Sequence, residues 1–466
     1  LRNRHLATIR RHDRSPGPGA GAMQPLMSHI RSDVELPTVR PPGDGAGVAV
    51  ALRHARQRDP IGHHVHTALA IMYVLLLPLA TTPKDFAWAL LLGWTVVRLP
   101  HIWPCYAALF RNRLMWLLGA WAVWHAVSIL WSADRVEGLE ELGACRVILT
   151  PLMLWPVLDR APWLIGALLV GVFGQNLVQA GQGLEIFGLS PSGNQRLPGL
   201  IHPIQTGAFC VAAVCWHMSA VIRGKGWIRW LSVAGLIVAT AGLVYSGSRG
   251  PWIAAAVAVP LALVMMGIRR PWARRAVLVA MIVGLLGAAT AWLIADDFIR
   301  SRVNQAITNL QSAGDGKYDT DVGRRLWWWS GAWAAFADAP LTGTGAGGYR
   351  KAIEKLGYGQ LSPSDHHAHS MYLHQLATTG ALGGLLLLAV VGLSLRRSFL
   401  DPPDHLYADG TLFVLISWLI GAVFDAYHLN GQMFGLFTLI VALTLCHRAA
   451  IRYNLLANDT NESTQS

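Results

Sequence analysis

Asp365-His366-His367-Ala368-His369-Ser370-Met371-Tyr372-Leu373-His374 runs directly into Gln375-Leu376-Ala377-Thr378-Thr379-Gly380-Ala381-Leu382-Gly383-Gly384-Leu385-Leu386-Leu387-Leu388-Ala389-Val390-Val391. A cluster of histidines therefore opens an apolar run close to the roughly 20 residues that a helix needs to cross a hydrocarbon core. Upstream, Ser362, Pro363 and Asp365 have the residue types of an N-cap, a first helical residue and a third-position acid. A helix is expected to start just before the histidines. On it His366, His369 and Leu373 would fall at i, i+3 and i+7, with two imidazoles on one face above the membrane surface.

The whole chain supports a membrane reading. It has 466 residues, of which 53% are hydrophobic and only 14% charged. Its mean hydropathy is +0.38. That is more apolar side chain than the interior of an ordinary soluble domain accommodates. The net charge of +12 is carried in short Lys/Arg clusters between apolar runs, not along one face as in a nucleic-acid binder, so it reads as a topology signal. The five cysteines (Cys105, Cys145, Cys210, Cys215 and Cys446) fall in expected helices or on the cytoplasmic side, so no disulfide framework is expected;.

Residues 1–63 are rich in Arg, Pro and Gly and read as a disordered basic cytoplasmic tail;. No cleavable leader is expected, and the first apolar helix should act as the anchor. Twelve spans are expected, at about 66–81, 85–99, 114–131, 143–158, 162–180, 201–222, 229–246, 251–268, 276–295, 375–395, 411–428 and 431–447. Basic residues occupy alternate loops: Arg98, Arg111 and Arg113, then Arg223, Lys225 and Arg229, then Arg269, Arg270, Arg274 and Arg275, then Arg396 and Arg397. These loops and both termini should be cytoplasmic. The expected architecture is an all-α integral membrane protein: helices 1–9 over 64–295, a large helical periplasmic loop over 296–374, helices 10–12 over 375–447 and a cytoplasmic tail over 448–466.

This topology gathers the polar stretches on the non-cytoplasmic side, including the acidic run Asp134, Glu137, Glu140 and Glu141. The large loop should contain an amphipathic interfacial helix through Arg324, Arg325 and the tryptophans Trp327, Trp328, Trp329 and Trp333, and a short helix at about 348–356. Between them Pro340, Gly343, Gly345, Gly347 and Gly348 predict a tightly turned backbone suited to close approach to a ligand. Arg249, in Ser246-Gly247-Ser248-Arg249-Gly250-Pro251, sits in a hairpin with almost no loop. It reads either as a snorkelling residue or, because the N–H groups of the next helix start beside it, as a phosphate ligand. Arg196 is the only basic residue of its loop and precedes the span carrying His202. Alone it reads equally as a solvated arginine, but two arginines aimed at one pocket would suit a diphosphate.

The histidines have two readings as well. A metal site would need ligands from elsewhere, and no flanking Cys or Glu spacing supports zinc. A neutral imidazole near a helix start suits a general base, which Asp425 and His428 could orient from the outer end of another helix. A base, two fixed cations and an interfacial cleft fit attack of a hydroxyl on a carbon whose leaving group is a lipid diphosphate.

Several blocks of the chain resemble the O-antigen ligase and polymerase superfamily. His369-Ser370, nine residues, Gly380, two residues, Gly383 is similar to the ligase signature. Ser248-Arg249-Gly250 is similar to the family's Ser-Arg-Gly turn, and Arg196 with Gly207 to its Arg-bearing outer loop. Arg325-Leu326 with Trp327 to Trp329, Pro340-Leu341-Thr342-Gly343-Thr344-Gly345 and Ile129-Leu130-Trp131-Ser132 resemble further family segments. The resemblance implies a GT-C-like glycosyltransferase of the bacterial inner membrane, without metal or other cofactor, that works on the periplasmic face. It would move polysaccharide from undecaprenyl diphosphate to a lipid A-core sugar with inversion. It implies His369 as the base and Arg196 and Arg249 as diphosphate ligands, with His366, His367 and Arg325 as further substrate contacts. A polymerase using a second lipid-linked repeat, or an oligosaccharyltransferase using a protein hydroxyl, is the alternative within the superfamily. Outside it, a twelve-helix transporter is disfavoured because few ionisable residues fall mid-helix, and a non-catalytic envelope scaffold is the third reading.

Overall fold

A computed structural model describes residues 52–186, 196–282, 297–358, 366–400 and 405–445, apart from 53, 276, 279, 280, 316 and 317. Every regular element among them is a helix. In order they are α1 (Pro60–Leu76), α2 (Thr81–Phe110), α3 (Arg113–Ser128), α4 (Arg135–Ala144), α5 (Ala161–Gly183), α6 (Pro203–Arg223), α7 (Gly226–Tyr245), α8 (Arg249–Arg269), α9 (Asp297–Gly314), α10 (Asp321–Asp338), α11 (Tyr349–Lys355), α12 (Met371–Leu400), α13 (Ala408–Gly421) and α14 (Gly431–Leu445). Local chemistry sets many of the starts. Asp59 Oδ1 accepts from Gly62 N at 2.8 Å with Pro60 as the first helical residue, so α1 begins inside the tail expected over 1–63;. Asn112, Asp134 and Thr320 cap α3, α4 and α10 in the same way.

Six helical stretches are long and apolar enough to cross a membrane among the described residues: Arg113–Trp131, Arg135–Gly183, Pro203–Arg223, Gly226–Tyr245, Arg249–Arg269 and Met371–Leu400. This is fewer than the twelve expected. The expected spans at 66–81, 411–428 and 431–447 correspond to the shorter apolar helices α1, α13 and α14. The span at 85–99 falls in α2, which carries Lys84, Asp85 and Arg98 and two internal prolines. The span at 143–158 breaks into short 3-10 and α pieces over Cys145–Leu149, Thr150–Leu154 and Trp155–Arg160, where Pro151 and Pro156 remove backbone donors;. Most of 276–295, and both expected tails beyond their helical edges, lie outside the described residues.

The core is built around α6 and α14. Every residue from Gln432 to Leu445 is buried, as befits a helix that is apolar all round;. Cys105, Cys145, Cys210 and Cys215 are buried as free thiols, and Cys446 lies outside the described residues. Arg223 and Arg270, read above as topology signals, meet the buried Asp409 at 3.2 and 2.9 Å. That cluster joins the C-terminal ends of α6 and α8 to the start of α13. The opposite ends of the same helices carry the site described below.

The glycine-rich turn has an unexpected partner. Gly380 interrupts α12 at φ 67°, ψ −168°, a backbone region open only to glycine;. The break would strand four backbone groups. Instead Thr344 N and Gly345 N donate to Ala377 O and Thr378 O at 2.9 and 2.8 Å, while Ala381 N and Leu382 N donate to Pro340 O and Leu341 O at 2.8 and 3.4 Å. Trp124 Nε1 takes Thr379 O at 2.9 Å. The 340–345 segment thus replaces the helix's own ladder, as an interrupted membrane helix requires. Its glycines allow this contact with protein backbone: a Cβ on Gly343 would lie 2.4 Å from Thr378 O and one on Gly380 2.3 Å from Leu341 O. None of the 340–348 residues lines the site cavity, so the expected approach to a ligand is corrected to helix repair. Gly380→Ala is expected to destabilise the chain by at least about 1–3 kcal/mol, read as a lower unfolding midpoint in detergent.

Candidate active site

One cavity of about 710 Å³ opens where the starts of α6 and α8, the N-terminal half of α10, the histidine segment and the turn after α13 meet. Arg196, Arg249, Arg325, His366, His367 and His369 all line it, together with His202, Arg324, Asp321, Trp328, Asp425 and the acids Glu137, Glu140 and Glu141. Residues separated widely in the chain therefore share one wall. The arginines come from three different segments. Arg249 is the first residue of α8, and that helix start, with Ser248 and Gly250 beside it, faces the cavity without a side-chain cap. Its guanidinium is held by Gln305 of α9 at 3.0 Å. Arg325 is partly buried on α10, and its Nε has no hydrogen-bond partner among the described residues. Burial pulls it below its ordinary range, opposed by the carboxylates of Asp425 and Asp321 and reinforced by Arg196 and Arg324.

The helical register expected for the histidines does not hold. Helix α12 starts at Met371, and His366 to Ser370 form turns and bends. Ser362, Pro363 and Asp365, the expected capping residues, lie outside the described residues. The backbone donors go elsewhere: His369 N to His367 Nδ1 at 3.2 Å, and Met371 N to Ala422 O and Asp425 O at 2.9 and 3.1 Å. His369 is at φ 45°, a left-handed conformation rare outside glycine;. A folded turn, not one face of a helix, aims the imidazoles.

His369 is held on both sides. Its ring stacks on Trp328 with centroids 4.1 Å apart and lies 4.1 Å from the His367 ring. Nδ1 faces Asp425 Oδ1 at 3.5 Å. Asp425 lies in the turn beyond α13, which ends at Gly421, not at the end of a helix as expected. A carboxylate there favours the proton on Nδ1 and leaves Nε2 as acceptor; Nε2 is buried without a partner among the described residues. Burial pushes the Asp425 carboxyl up, but the hydrogen bond from His369, the charges of His367 and His369 and the Ala426 N–H outweigh it and hold it below its ordinary value. Burial above all, then the charge of His369, pushes His367 well below its ordinary value. His428, the other residue expected to orient the base, instead packs 5.4 Å from the His374 ring, fully buried.

These two shifts act in the same direction on stability. A histidine kept neutral in the fold takes its proton only on unfolding, so stability falls as pH drops below 6.5;. A depressed carboxylate contributes fully above 3.8 and is lost as pH falls through its folded value;. The unfolding midpoint in detergent is expected to be lower at about pH 5 than at about pH 7.5, with a slope of up to about 1.4 kcal/mol per pH unit for each such histidine. His367→Gln should narrow that difference.

His367, His369 and Asp425 also present ligand atoms within 4.8 Å of one another, the one such three-residue set among the described residues. Their donor types suit a borderline divalent ion such as zinc, although one His367 nitrogen is already engaged by His369 N;.

Residues 234–388 match the O-antigen ligase family. The matched O-antigen ligase segment is about a third of the chain, running from α7 into α12, and includes Arg249, Arg325 and the histidine turn. Over that segment the chain is similar to the O-antigen ligases. No curated protein matches the chain.

Arg196 and Asp425 lie outside the O-antigen ligase segment and are brought to it by tertiary contacts. A ladder of glutamines on α5 holds the stretch after Arg196. Gln175 Nε2 donates to Pro198 O at 2.9 Å, Gln179 Nε2 to Leu197 O at 2.6 Å and Gln182 Nε2 to Gly199 O at 3.1 Å; Gly199 N and Leu200 N return bonds to Gln182 and Gln175. The signal was present in the sequence as glutamines at i, i+4 and i+7 in an apolar helix, but not what they hold. Trp328 and Glu141 were likewise missed as parts of the site.

Proposed function

We propose that the chain is an O-antigen ligase of the bacterial inner membrane. It transfers polysaccharide from undecaprenyl diphosphate to a lipid A-core sugar hydroxyl on the periplasmic face. The observation that carries this reading is the shared cavity: four arginines and a histidine whose Nε2 has no partner among the described residues line a space of about 710 Å³ at one end of the helices. Arg196, Arg249 and Arg325 bind the diphosphate and stabilise its charge as it leaves, because guanidinium presents paired donors and keeps its charge. His369 Nε2 takes the proton of the attacking hydroxyl, Asp425 stabilises the resulting imidazolium, and His366 and His367 contact substrate. A single displacement of this kind inverts the anomeric carbon.

Glu137 and Glu140, which also line the cavity, receive the acceptor hydroxyl in this reading. The test is transfer by the purified chain in detergent from undecaprenyl-diphosphate-linked polysaccharide, with lipid A-core, a second lipid-linked repeat and a serine peptide as competing acceptors. Product on lipid A-core supports the ligase; product on either of the others alone assigns the chain elsewhere in the superfamily. The three-ligand cluster favours a rival metal-dependent reading. The ligase reading expects transfer to be unchanged after exhaustive chelation, whereas loss restored by zinc would favour the metal.

A further inference from the structure

Below the histidine turn lies a second, fully buried set of polar groups. The Glu141 side chain is 4% exposed and that of His374 0%. They meet from α4 and α12, with His374 Nε2 at 3.1 Å from Glu141 Oε1. Glu141 Oε2 accepts from Gly347 N at 3.0 Å and faces His125 Nε2 of α3 at 3.8 Å. The acidic run was expected on the non-cytoplasmic side, and one member of it is enclosed at a junction of four segments. Burying a carboxylate there is costly unless its bonds serve the fold or the site.

The bond to Glu141 fixes how His374 behaves. An acceptor-only carboxylate at Nε2 places the ring proton there and leaves Nδ1 as acceptor. Nδ1 lies 3.5 Å from Ala368 N, the amide between His367 and His369. The His367 ring also packs edge-on to His374, with centroids 6.4 Å apart at 89°. The turn that His374 supports includes the left-handed His369, a conformation that persists only where surroundings over-determine it.

We infer that Glu141 and His374 are positioning residues: Glu141 sets the tautomer of His374, whose Nδ1 and ring hold the Ala368 amide and so the orientation of His369. The inference rests on His369 being the base. It does not make either residue touch substrate. It extends the site from the cavity wall, where Glu141 stands, to His374 behind it.

The orientation-only role has a distinctive signature. A glutamine at 374 can place its amide oxygen near Ala368 N and its NH₂ towards Glu141, reproducing both bonds without titrating. A leucine fills the space and makes neither. In the purified full chain, with undecaprenyl-diphosphate-linked polysaccharide and lipid A-core, His374→Leu is expected to lower kcat about 10²-fold, the loss that misplacement by about 1 Å can cause. KM for the donor should stay within about threefold, and His374→Gln should recover most of the rate. Glu141→Gln, which presents a donor to His374 and reverses its tautomer, should lose rate in the parent chain but add no further loss in His374→Leu.

Leucine and glutamine variants equal to parent would overturn the inference, as would two equally inactive variants that remain folded. Should His374→Leu fail to fold, the contrast between Glu141→Gln and Glu141→Asp decides the matter: the aspartate must retain more rate. His369→Ala run alongside keeps the two readings apart. Retained transfer in that variant removes the base assignment itself, whereas its loss with a fully active His374→Leu removes the positioning role alone.

Discussion

Replacing His369 with alanine is expected to lower kcat for glycan transfer by about 10²- to 10⁴-fold, the range that a positioned general base contributes. The geometry accounts for the size. Nε2 is buried without a partner among the described residues, Nδ1 faces Asp425 at 3.5 Å, and the ring is clamped on Trp328. Catalytic hydrogen bonds are commonly long before substrate closes the site, so 3.5 Å is compatible with the role. Donor KM should change little, because the base acts on the acceptor hydroxyl as it is deprotonated and not on the bound diphosphate. Asp425→Asn should cost less than His369→Ala, since it removes the partner and leaves the base. Steady-state kinetics on the three proteins check the order; equal rates for parent and His369→Ala would remove the assignment.

Arg325→Met is expected to lower kcat/KM by about 10²- to 10³-fold, comparable to losing one preorganised donor to a developing anion, without loss of stability. The combination is diagnostic. Arg325 is partly buried, with Nε unsatisfied among the described residues, and its guanidinium is drawn below its ordinary range by burial. A cation tolerated at such cost by the fold is one whose replacement by an apolar side chain of similar volume is neutral or stabilising. Arg325→Lys should rescue only part of the rate, because an ammonium supplies a point charge where the diphosphate calls for a planar fork. An unfolding midpoint well below that of the parent would instead assign Arg325 a structural role.

Much of the site was legible because its parts sit at turns with little chain to spare. Arg249 in a Ser-Gly-Ser turn and Arg196 shortly before the start of α6 had to lie near one end of the helices, and both line the cavity. The histidine turn was misread as helix because its donors are taken by partners that sequence does not reveal: the His367 ring and the carbonyls of Ala422 and Asp425. The same limit applies at Gly380, where a glycine in an apolar run gives no sign that the 340–345 segment will replace the ladder. Glu141 was grouped with its acidic neighbours because composition cannot distinguish one buried acid in a run of four. Prolines divide 143–158 into short pieces and charges flank 85–99, features that a count of apolar residues passes over. Local pattern gave the elements; the long-range hydrogen bonds that bend them were beyond it.

The most direct test of the account is the anomeric configuration of the linkage formed by the purified, metal-stripped chain from undecaprenyl-diphosphate-linked polysaccharide of known configuration. One displacement at the cavity, with His369 taking the hydroxyl proton and the arginines receiving the diphosphate, predicts a product inverted at the transferred carbon and formed at the parent rate without added metal. Retention of configuration, or product formed only when a divalent ion is supplied, would contradict it.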